Sequence, residues 1–73
     1  METIKTLDPW EEACGTLKAV RDEGINLVLD FGKFSIKLRS NESAAIRNRL
    51  ESKIGLRTAV LRTDLPDRPV VLR

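Results

Sequence analysis

At 73 residues, 41% of them hydrophobic, and with a net charge of +2, the chain is the size of one small domain and lacks the field of a strongly basic nucleic-acid binder. With no His, no Tyr and a single Cys, it lacks the commonest acid-base group, an internal disulfide and an ordinary zinc ligand set. No apolar run approaches membrane-spanning length, residues 1–5 lack a leader pattern and the lone thiol suits a reducing compartment, so the expectation is a cytoplasmic domain with no membrane, metal or cofactor.

Taken in chain order, residues 3–7 form a short edge strand with only Ile4 and Leu7 apolar. Asp8-Pro9-Trp10-Glu11 then reads as a helix start, with Asp8 as cap, Pro9 at the first helical position and Glu11 where a capping-box acid stands. Trp10, Ala13, Cys14, Leu17 and Val20 fall on one stripe at about 100° per residue, which predicts a helix to about Glu23, closed by Gly24. On that stripe Cys14 is a small buried hydrophobe and Trp10 packs on a sheet.

Ile25, Leu27, Leu29 and Phe31 alternate with polar or small neighbours, and after Gly32-Lys33 the set continues as Phe34, Ile36 and Leu38. Glycine first is the choice of a type II′ turn, which pairs Phe31 with Phe34, Leu29 with Ile36 and Leu27 with Leu38. The apolar residues then share one face, and slipping by one residue would turn them all to water.

Ser40 or Asn41 caps a second helix, whose buried line is Ser43, Ile46, Leu50 and Ile54, ended by Gly55. Residues 57–63 and 70–72 read as two further strands around the loop Asp64-Leu65-Pro66-Asp67-Arg68-Pro69. The inward face of the first is either Ala59 and Leu61 or Thr58 and Val60. The predicted fold is therefore α+β and two-layered: two helices on one face of a four- to five-stranded, mostly antiparallel sheet, in the order (β)αββαββ. It forms a single domain over 1–73, with αββ units at 8–39 and 40–73 as a candidate duplication.

Catalytic constellations are missing. No imidazole stands beside the serines, the four glycines stand singly, and the acidic pairs Glu11-Glu12, Asp22-Glu23 and Asp64/Asp67 sit where solvated faces and turns ordinarily place them. A non-enzymatic binding module is expected. Residues 40–73 carry seven basic and four acidic side chains, and six of the seven are arginines, the residue suited to phosphate. Two candidate nucleic-acid surfaces follow: Lys37 and Arg39 on the polar face of the central hairpin, and Arg49, Lys53 and Arg57 on and beyond the second helix. Arg47 falls on the other flank of that helix, spaced to pair with Glu51. The alternative is a protein-interaction or self-associating, homodimeric module using the reverse hairpin face, with Asn26, Val28 and Ser35 as contacts. A regulatory site for an acidic small molecule at the arginines is a weaker third reading.

Overall fold

The computed structural model describes residues 3–73, apart from the side chains of Thr3 and Glu42. Its strands are β1 (Thr3–Thr6), β2 (Glu12–Thr16), β3 (Ala19–Glu23), β4 (Asn26–Asp30), β5 (Phe34–Arg39), β6 (Arg57–Arg62) and β7 (Val70–Leu72). Between β5 and β6 runs one irregular helical segment: α1 (Ser40–Ser43), a 3-10 turn (Ala44–Ile46) and α2 (Arg47–Ser52). The strands form a four-stranded sheet in the order β1-β5-β4-β3 and a three-stranded sheet in the order β2-β6-β7.

One bent strand joins the two sheets. The Leu17 N–H donates to the Leu56 carbonyl at 3.1 Å and the Gly55 N–H to the Leu17 carbonyl at 2.7 Å, which extends the β2–β6 ladder. One residue later the Lys18 N–H donates to Asp30 at the end of β4, at 2.7 Å. The chain thus changes sheets at Leu17-Lys18, the usual way a strand turns the corner between two sheets. The result is a partly open barrel whose edge strands are β1, parallel to β5, and β7.

Its interior follows from parity. Register pairs Leu27 with Leu38 and Leu29 with Ile36, and Phe31 stacks on Phe34 across the turn with ring centroids 5.1 Å apart. Gly32 has φ +90° while Lys33 has a negative φ, which fits a turn with glycine first. These side chains meet Val60, Val70 and Leu72 from the other sheet, with Leu7, Leu17, Ile46 and Leu50 completing the core. Thr58 and Val60 are therefore the inward residues of β6, and Ala59 and Leu61 the outward ones.

The two-helix, two-layer fold expected from the sequence is wrong. Residues 12–16 and 19–23 are strands, so the unit drawn over 8–39 has no helix, and no pair of helices covers one sheet. The cause is the corner. Ala13 and Gly15 pair with inward Val60 and Thr58, Leu17 is buried, and Val20 pairs with inward Leu29 after two intervening residues. A strand that shifts its parity there buries Leu17 and turns the partly buried Ala13 and Val20 towards the core, the spacing of an amphipathic helix. Cys14, assigned to that stripe, is exposed.

The second helix is also shorter than expected. It starts at Ser40 with Arg39 as cap residue and no side-chain cap, and the Ser43 hydroxyl donates back to the Arg39 carbonyl at 2.9 Å. Such back-bonding loosens a helix, and a 3-10 turn follows directly. Ser43, Ile46 and Leu50 are buried as expected, but Ile54 lies beyond α2 and is exposed. Ile25, expected on the core face, is in the β3–β4 turn and 79% exposed. No helix among the described residues is long and apolar enough to cross a membrane.

Candidate nucleic-acid interface

The strand directions gather one set of chain segments at one mouth of the barrel. The ends of β1, β3 and β5 and the start of β4 lie at that mouth by their register, and the short connection 7–11 carries the chain from there to the start of β2 and the end of β6. A groove of about 320 Å³ opens at this mouth, lined by Thr6, Ile25, Asn26, Lys37, Leu38, Arg39 and Arg62. Lys37 and Arg39 reach it from the outward face of β5. Arg62 continues the inward parity of Thr58 and Val60, so the barrel end itself places it there.

The charge at the groove is one-sided. Lys37 and Arg39 are exposed and make no ion pair among the described residues. The acid at the end of β3 is otherwise engaged, since Glu23 bridges Arg21 at 3.5 Å. Asp22 is bound by the Arg47 guanidinium, whose hydrogen bond above all holds its carboxyl below the usual range against the opposing effect of burial, and Arg47 is held above its own usual value by the same partner. Arg47 also meets Glu51 at 3.4 Å, the pairing their spacing predicts. This bridge fastens the helical segment to β3 and removes Arg47 from the binding surface.

A second groove, of about 450 Å³ and lined by Gly24, Ile25, Arg39, Ser40 and Asn41, shares Ile25 and Arg39 with the first. Arg62 also lines a third, of about 370 Å³, against the β6–β7 loop. Arg39 and Arg62 thus join adjoining concave surfaces around the mouth.

The other expected contacts fare differently. Asn26 lines the groove, but Val28 and Ser35 are 1% and 0% exposed despite their outward parity. Val28 stands in register between Arg21 and Lys37, whose long side chains flank it on the neighbouring strands. Arg49 faces the β6–β7 loop and β7, alongside Asp67 and Arg68. Lys53 is half-buried beyond the end of α2, and Arg57 begins β6, where its guanidinium lies 3.9 Å from the Cys14 sulfur. Arg49 and Arg57 have separate neighbours rather than a shared groove.

Arg62 and Trp10 lie outside the candidates that the sequence yields. Parity along β6 would have found Arg62 once its inward face was known. Helical spacing places Trp10 on a buried stripe, yet it is 56% exposed. Among the described residues no group of three or more Cys, Asp and Glu side chains gathers as a metal ion would require. Comparison with family models, with curated proteins and with solved structures returns no match.

Proposed function

We propose that this chain is a non-enzymatic binding module that grips nucleic acid by its phosphates at the mouth of the barrel, in a regulatory rather than catalytic role. The observation that carries the reading is that Lys37 and Arg39 of β5 and Arg62 of β6 line one groove. Lys37 and Arg39, which make no ion pair among the described residues, favour an anionic polymer along that concave surface, because each can release a counterion from it. The modest net charge of +2 agrees with a local site rather than a wholly basic surface.

The test is a titration of labelled DNA and RNA at several salt concentrations. Binding that weakens steadily as salt rises supports the proposal; no binding at low ionic strength removes it.

Self-association is the second reading, and its support is the open edge of β1, where Ile4 is exposed. Light scattering separates the two, since a monomeric mass at high concentration counts against the edge and leaves the groove untouched.

A further inference from the structure

Trp10 is the one non-glycine residue with a positive φ among those described, at +66°. A bulky aromatic in that region is a genuine outlier, because its Cβ crowds the backbone. Such strain persists only where the surroundings over-determine it, and they do here. The Trp10 N–H donates to the Arg62 carbonyl, the Glu11 N–H to Asp8 at 2.9 Å, the Arg62 N–H to Glu11 at 2.9 Å, and the Asp8 N–H to the Glu11 carboxylate at 3.0 Å. The clasp fixes the residue, yet the indole is not buried within the chain.

We infer that Trp10 is a fixed stacking platform for an unpaired base, which makes the ligand of the groove single-stranded. The inference rests on the proposed binding at Lys37, Arg39 and Arg62 and names the form of nucleic acid bound there. The backbone of Trp10 is bonded to Arg62, which lines the groove together with Lys37 and Arg39, so an aromatic surface and phosphate-seeking cations belong to one end of the molecule. Base faces inside a duplex are already stacked on one another, whereas those of a single strand are free to lie on an aromatic ring. Among the described residues there is also no long helix to enter a major groove, since α2 spans only Arg47–Ser52. A clasped mount lowers the cost of ordering the indole when a base arrives.

Because Trp10 is the only Trp and Tyr is absent, intrinsic fluorescence reports on this residue alone. The experiment uses the full chain with fluorescein-labelled oligothymidine and oligouridine of about ten nucleotides, and a duplex of the same length. The expected result is quenching of Trp10 by single strands and not by the duplex. Trp10→Gly should weaken single-strand binding roughly 5- to 150-fold, the range of one lost stacked base, with no change in the salt slope because no phosphate contact is removed. Trp10→Phe should keep most of the affinity. Glycine tolerates a positive φ, so the thermal midpoint of Trp10→Gly should hold or rise, which separates lost binding from lost folding. Equal binding and quenching by duplex, or wild-type affinity in Trp10→Gly, would overturn the platform and leave the phosphate contacts standing. No binding by the wild type at low salt would overturn the groove reading itself, and this inference with it.

Discussion

Removing the β5 cations should change how binding responds to salt, not merely its strength. Lys37→Gln and Arg39→Gln together are the informative perturbation, because glutamine keeps enough stem beside Val28 to preserve its cover while deleting both charges. On a single strand each phosphate contact contributes about −0.7 to the slope of log affinity against log salt, so removing Lys37 and Arg39 should make the slope shallower by about 1.4. Between roughly 50 and 200 mM salt the wild type should therefore weaken about sevenfold more than the double variant. Fluorescence anisotropy with a labelled single strand at four or more salt concentrations measures both slopes. Lys37 and Arg39 hold no ion pair among the described residues, so a urea midpoint near that of wild type is expected and certifies the comparison. A double variant whose slope stays near the wild-type value would refute the assignment of the groove as the phosphate contact.

Arg57→Gln is the matching control, because Arg57 lies beside Cys14 on the other sheet; its slope should equal that of wild type, and an equal loss would move the site to β6. Leu50→Ala removes a fully buried side chain that anchors α2 in the core and should cost about 2–5 kcal/mol by urea denaturation, while a cost under about 1 kcal/mol would mean that the helical segment is not part of the core. At Gly15 an added Cβ would stand 3.4 Å from the Phe31 ring, so Gly15→Ala should be accommodated and Gly15→Val should overpack by about 1–3 kcal/mol. Asp22 has a lowered folded-state pKa, so what its bridge to Arg47 contributes is present above the unfolded value of about 3.9 and is lost as pH falls through the folded value. Asp22→Asn should therefore flatten the fall in thermal midpoint below about pH 4, and an unchanged acid limb would discount the bridge.

The central hairpin was legible because its information is local. Alternation on either side of Gly32-Lys33 fixes both face and register, and the pairing of Leu27 with Leu38 and Leu29 with Ile36 agrees with it. Residues 8–23 were not legible, because two local signals coincided with helical ones. Glu11 does return a hydrogen bond to the Asp8 N–H, as in a capping box, but the bond closes a turn from which Trp10 leaves with positive φ. The inward placement of 13, 17 and 20 comes from the change of sheet, and its cause lies about forty residues away in the pairing of β2 with β6. No periodicity within residues 8–23 carries that partner. Lys37 and Arg39 could be named from the hairpin alone; Arg62 could not, since its direction depends on which face of β6 turns inward.

The change of sheet that defeated the helix reading is also what assembles the candidate site. In a flat two-layer fold Lys37 and Arg39 would share an open face with Val28 and Ser35, and the arginines of the C-terminal half would lie on a separate helix. Bending the strand at Leu17-Lys18 instead curves β5 and β6 around one core, so that their C-terminal ends, Arg39 and Arg62, meet at the same mouth. Two further consequences follow from that curvature. The outward face of the first sheet is shielded at Val28, which removes the apolar patch a homodimer through that face would need. The connection 7–11 must then cross from the end of β1 to the start of β2 at this mouth, and it does so in the tight turn that holds Trp10 outward. Residues 10, 37, 39 and 62 are thus brought to one end by the path of the backbone, so substitutions that weaken the corner, such as Gly15→Val, should disturb binding even though Gly15 lines no part of the groove.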